Sequence, residues 1–224
     1  MSSKLPTEFL TYPFPSSAEF ELFLEREHAN IEGFYLKLAK KASGIPSISA
    51  TEAVEIALCF GWIDGRANGF DKDWWLVRYT PRRAKSIWSQ KNVHTVNKLI
   101  EAGRMRPAGL AAVEAAKADG RWERAYAGPA TISVPDDFRR ALTASPEADT
   151  FFETLNKTDR YSVLWHIQTA SVKSREKRIE TLVQQLAQKQ HPNSLASARK
   201  RQKDPTDDGL DKSTKSSVAK RTRR

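Results

Sequence analysis

The chain reads as an α+β protein, mainly helical, built as a single domain with a small antiparallel sheet and followed by a disordered basic tail. Three observations predict this. Between Trp62 and Thr80 two segments rich in aromatic and β-branched residues flank a turn containing Asn68-Gly69 and Asp71, the pattern of a β-hairpin. On both sides of it apolar residues recur at helical spacing behind Ser, Thr or Pro start signals. After Gln188 that periodicity stops and Ser, Lys, Arg, Asp and Pro take over, a composition that buries too little surface to offset ordering entropy.

At 224 residues the chain is long enough for one substantial core, or a core with a small satellite. The expected boundaries are an extended amino-terminal arm over 1–16, a domain over 17–188 and the tail over 189–224. Pro6, Pro13 and Pro15 act as breakers in the arm. From Ser17 to about Asn30 the spacing of Phe20, Phe23 and Leu24, with Glu19 and Glu21 in the first turn, predicts a helix. Phe34, Leu36 and Leu38 alternate with Tyr35 and Lys37, which is strand periodicity. Ser49 or Thr51 caps a helix reaching Phe60, with Val54, Ala57 and Leu58 facing inward and Gly61 ending it.

The hairpin then occupies about 62–67 and 74–80 and pairs with the strand near Phe34. Thr80 precedes Pro81, which favours an extended conformation, so the strand should finish there and a basic loop begin. Ser89 opens a helix through Ile100, stopped by Gly103, and Pro107 opens another that runs to Asp119 and stops at Gly120. Pro135 and Pro146 each introduce a further helix with acids in its first turn. Thr158 is the expected cap of a last helical region, 161–187, broken near Ser171–Ser174. Trp122 and Trp165 sit in helical apolar spacing and read as core anchors.

The formal charge is +10. Residues 189–224 hold eleven Lys/Arg against four Asp, which leaves only +3 for the rest. The single Cys59 excludes an internal disulfide framework and a multi-cysteine zinc site, and suits a reducing compartment; it reads as a small buried apolar residue. His28, His94, His166 and His191 show no ligand spacing, so no metal and no cofactor are expected. No stretch has the secretory or membrane-spanning pattern, so no membrane insertion is expected. The expected location is intracellular and cytoplasmic, or nuclear in a eukaryote, because ARKRQK (198–203) and AKRTRR (219–224) resemble import signals and could also attract nucleic acid.

Several blocks, in order, carry a resemblance. ALCFGWIDG (57–65), YTPRRAKSIWSQKN (79–92), LIEAGRMRPAGLAAVEAAKADGRWERAY (99–126) and the later VPDDFRRAL, SPEADTFF and SREKRI segments resemble the YdeI/OmpD-associated, bacteriocin-protection-like (OmdA) family over about 17–188. Ser174 stands where that family usually has Thr. The resemblance implies a stress-protection role and supplies no reaction, cofactor or catalytic residue.

The densest chemistry lies in 57–106, where four of the six tryptophans sit among ten Lys/Arg and only four acids. Guanidinium groups beside rigid aromatic surface suit anionic or phosphate-bearing partners. The candidate ligand-binding residues are Arg82, Arg83, Lys85, Ser86, Trp88, Ser89, Lys91 and Asn92, a basic loop running into a helix start. The competing explanation is that Arg82 and Arg83 pair with Asp64, Asp71 or Asp73 while Trp88 fills the core.

Arg175, Lys177 and Arg178 form a secondary basic cluster, which would enlarge the same groove if the last helix folded over the hairpin. Asp64 is a minor catalytic candidate, more simply explained by the Asp-Gly turn. The leading expectation is a non-enzymatic protein binding an anionic partner, nucleic acid or a phosphorylated ligand. The alternatives are an enzyme acting on a phosphorylated or carboxylated small molecule, with Asp64 as acid/base, and an adaptor using exposed tryptophans. Oligomeric state is not legible in the sequence.

Overall fold

The computed structural model describes residues 8–191. The basic clusters at 198–203 and 219–224, and the expectation of disorder there, lie outside the described residues.

The amino-terminal half is organised by a four-stranded sheet. Its strands are β1 (Thr11–Pro13), β2 (Phe34–Ala39), β3 (Trp62–Gly69) and β4 (Trp74–Pro81), in the order β1-β2-β4-β3. The hairpin β3-β4 and the pairing of β2 with β4 are antiparallel, but β1 runs parallel to β2 with Thr11 opposite Tyr35. The sheet is therefore mixed, not antiparallel throughout, and part of the expected arm belongs to it. Pro13 lacks an N–H and is tolerated because β1 is an edge strand.

Helices α1 (Ser17–Glu27) and α2 (Ala50–Cys59) pack on each other and against the sheet. The cap of α1 is Ser16, whose hydroxyl accepts from the Glu19 N–H. Ser49 and Glu52 form a capping box at the start of α2, satisfying two amide donors reciprocally. Gly61 ends α2 with φ +74, and a Cβ there would also meet the Ala108 carbonyl; only glycine satisfies both conditions. Phe34 stacks on Tyr79 and meets Phe23 edge-on, while the Trp62 indole donates to the His28 carbonyl. Helices α3 (Gln90–Glu101) and α4 (Pro107–Ala118) close this core beside α2.

Four helices build a second core: α5 (Asp136–Thr143), α6 (Pro146–Thr154), α7 (Lys157–Gln168) and α8 (Val172–Ala187). Phe138, Leu142, Phe152, Val163, Ile167 and Leu186 fill it, with Phe138 and Phe152 perpendicular. The cap of α7 is Asn156, not Thr158; its side chain accepts from the Asp159 N–H, and Thr158 already lies in the first turn. Helix α8 packs on α5, α6 and α7, because its apolar residues Ile179, Leu182 and Leu186 complete that core. It does not fold over the hairpin. Trp122, half-buried, packs on the first core edge-on to Trp88; Trp165 is half-buried, edge-on to Tyr126, and belongs to neither core, unlike the anchor expected of it.

The segment between α4 and α5 ties the halves into one α+β domain. Tyr126 pairs through its backbone with Trp88 and Gln90. One residue later, the Ala127 N–H donates to Gln168 Oε1, and the Tyr161 hydroxyl donates to the Ala127 carbonyl. No helix among the described residues is long and apolar enough to cross a membrane.

Candidate functional site

Where β4 ends, Arg82 begins a loop that is pinned at both ends. Its N–H donates to the Gly61 carbonyl, and a tight turn closes Arg83–Ser86: the Ser86 N–H donates to the Arg83 carbonyl, and the Arg83 N–H to Ser86 Oγ. Arg121, nearly buried, clamps the turn from outside by donating Nη1 to the Ser86 carbonyl, while its Nε is held by Asp119. Downstream, the Trp88 carbonyl accepts from Tyr126 and Ser89 caps α3 by accepting from the Asn92 N–H. A loop fastened at this many points is preorganised for whatever it contacts.

Within that frame the Arg82 guanidinium lies over Trp88, 3.6 Å from its ring centroid, a cation–π arrangement strengthened by partial desolvation. Nη2 donates to the Ile87 carbonyl at 2.8 Å. Nη1 is buried with no hydrogen-bond partner among the described residues, and the same holds for Trp88 Nε1. Burial, then the nearby Arg121 charge, push the Arg82 guanidinium down to about 10, so it remains charged at neutral pH. Buried polar groups are paired in the great majority of cases, which makes two free donors one on top of the other informative.

Beside Arg82 opens a cleft of about 500 Å³ lined by Ile63, Arg82, Arg83, Lys85, Ser86 and Ile87. Three cations face it, and no carboxylate lines it among the described residues. None of the three is in an ion pair among the described residues. Of the three acids offered as their partners, two are otherwise engaged: Asp71 accepts from the Asp73 and Trp74 N–H groups in the hairpin turn, and Asp73 faces Lys72; Asp64 makes no ion pair among the described residues but lies within electrostatic reach of Arg82.

The structure thus brings Arg82, Arg83, Lys85 and Ser86 to one cleft and sets Trp88 beneath Arg82. It places Ser89, Lys91 and Asn92 in the capping turn of α3, away from the cleft lining. Asp64 sits exposed on the edge strand opposite Tyr79; the protein mass beside it raises its carboxyl above the ordinary range, with Lys91 and Arg82 opposing. The secondary cluster is elsewhere. Arg175 makes a two-point pair with Asp137 (2.6 and 3.0 Å) and donates to the Ile167 carbonyl, while Lys177 and Arg178 share its helix, α8.

Sequence reasoning missed Ile63, Ile87 and Arg121. Cys59 is buried, its thiol donating to the Glu55 carbonyl. Among the described residues, no three His, Cys, Asp or Glu side chains come together in a way that could hold a metal ion.

Two family models match the chain. Residues 131–189 match the family described as Bacteriocin-protection, YdeI or OmpD-Associated, and residues 12–112 match a domain of unknown function (DUF8412). Residues 131–189, the segment that builds the second core, are thus similar to the YdeI/OmpD-associated family. The cleft and its arginines lie within the other match, as do the ALCFGWIDG and YTPRRAKSIWSQKN blocks. No curated protein and no solved structure matches the chain.

Proposed function

We propose that this protein is a non-enzymatic stress-protection protein that binds an anionic partner, nucleic acid or a phosphorylated ligand, through the Arg82 cleft. The observation that carries the reading is the cleft lined by Arg82, Arg83 and Lys85, with no ion pair to any of the three and no carboxylate in its lining among the described residues. A guanidinium held in place on an aromatic ring and not neutralised by an ion pair is suited to attract an oxyanion. Arg83 and Lys85, both exposed, add attraction without being committed elsewhere.

The protective role itself rests on the family match at 131–189. A separate basic contribution comes from the clusters at 198–203 and 219–224, which we assign to nuclear import in a eukaryotic cell or to nonspecific nucleic-acid attraction. Tagged chains ending at His191 and at Arg224 should then distribute differently, and identical distributions would refute that assignment.

Thermal melting tests the cleft. Inorganic phosphate at a hundred times its Kd should stabilise the wild type by about 2.7 kcal/mol. The double variant R83A/K85A should melt at nearly the wild-type temperature without phosphate and respond far less to it. A variant that responds as wild type does would place anion binding elsewhere.

Asp64 supports a second reading, an enzyme acting on a phosphorylated or carboxylated small molecule, because its raised carboxyl lies within electrostatic reach of Arg82 and a raised carboxyl can carry a proton. D64N would abolish turnover under that reading and leave binding intact.

A further inference from the structure

The cleft's charge and donor set restrict which anion it accepts. Arg82, Arg83 and Lys85 bring three positive charges to a space walled otherwise by Ile63, Ser86 and Ile87. A single negative charge would leave most of that charge uncompensated, whereas a phosphomonoester brings nearly two at neutral pH and three terminal oxygens. Arg82 Nη1 is buried with no hydrogen-bond partner among the described residues, so Arg82 brings its charge, not that N–H, to the cleft. Ser86 Oγ accepts the Arg83 N–H, which leaves its own O–H to donate. Lys85 is exposed beside them.

The two isoleucines flank this donor set, and Ile87 is 37% exposed. They offer apolar contact to the group that carries the phosphate. A diester carries one negative charge and has chain on both sides, so it does not match the three cations.

Resting on the anion-binding reading above, we infer that the Arg82 cleft takes the terminal phosphate of a small phosphomonoester with an apolar or aromatic body, in preference to phosphodiesters of a nucleic-acid backbone. The phosphate oxygens meet the Ser86 hydroxyl, the charges of Arg82, Arg83 and Lys85 neutralise the dianion, and the body lies along Ile63 and Ile87.

Calorimetric titration of the full chain tests this with phenyl phosphate, diphenyl phosphate and a short 5′-hydroxyl oligonucleotide, which carries diesters alone. Phenyl phosphate should bind at least tenfold more tightly than diphenyl phosphate. Its affinity should fall roughly tenfold from pH 7.5 to pH 5, as the second ionisation near pH 6 is reversed. R83A/K85A should weaken it at least tenfold, and R82K, which retains a charge but loses the planar fork, should weaken it as well.

Equal binding of the monoester and either diester at the cleft overturns the inference while leaving an anion site in place. So does monoester binding that R83A/K85A and R82K leave unchanged. Failure of all three probes and of inorganic phosphate overturns the anion-binding reading itself.

Discussion

Arg82 and Arg175 are the same side chain in two different situations. Arg175, between α8 and α5, holds Asp137 at two points and gives a third donor to the Ile167 carbonyl. Arg82, just past the end of β4, donates to one carbonyl, lies over an indole ring and has one terminal nitrogen with no hydrogen-bond partner among the described residues. The first arginine is consumed in joining helices of the second core. The second is positioned by its surroundings and left chemically unspent, and that contrast locates the candidate site better than the density of basic residues does.

The largest expected effect is at the platform. Trp88→Ala should cost about 3–5 kcal/mol, because the ring is 1% exposed and packs edge-on against Trp122 beneath Arg82. Denaturant unfolding would measure it, and phosphate-dependent stabilisation should disappear together with the stability. A small loss would mean that the ring is not the support on which Arg82 depends.

Arg175→Ala comes next. Losing a charge-assisted, two-point pair at a half-exposed position should cost about 1–3 kcal/mol and leave phosphate affinity unchanged. If phosphate affinity fell as well, the two arginines would not be as separate as their partners indicate.

The smallest effects are in pH dependence, where the two acids should act with opposite sign. Hydrogen bonds from Arg175 hold the Asp137 carboxyl below its ordinary range. Its contribution to stability is therefore present above the usual carboxylate range and lost as pH falls through the lowered value. D137N should reduce stability at neutral pH and flatten the acid limb of a melting-temperature profile.

The protein mass packed beside Asp64 weakens its hydration and raises its carboxyl, so its contribution is present below the ordinary carboxylate pKa and lost as pH rises through the folded value. D64N should accordingly raise the melting temperature slightly at neutral pH, by less than the D137N loss because Asp64 is exposed to solvent. Profiles that shift in the same direction for both variants would contradict the geometry around one of them.

Much of the fold is local and was readable from the chain. The Ser49–Glu52 box, the Ser89 cap, Pro107 at the first turn of α4 and Gly61 beyond α2 act within four residues of themselves. The hairpin was equally legible, because its alternation and its turn lie in one continuous segment. The loop carrying Arg82, Arg83, Lys85 and Ser86 stood out for a similar reason: its charges and its helix start are adjacent in sequence.

What tertiary structure decided is which partner each group found. The parallel pairing of Thr11 with Tyr35 joins segments separated by all of α1, and no local signal distinguishes a breaker-rich arm from an edge strand. Asn156 outcompeted Thr158 as a cap through where the chain turned before α7. Arg82 and Arg175 looked alike as members of basic clusters, yet Arg175 met Asp137 from a helix 38 residues away while Arg82 met the flat face of Trp88. Charge is a property of the residue and is written in the sequence; whether that charge is neutralised depends on which distant side chain the fold brings within about 3 Å, the range over which hydrogen-bonded ion pairs form.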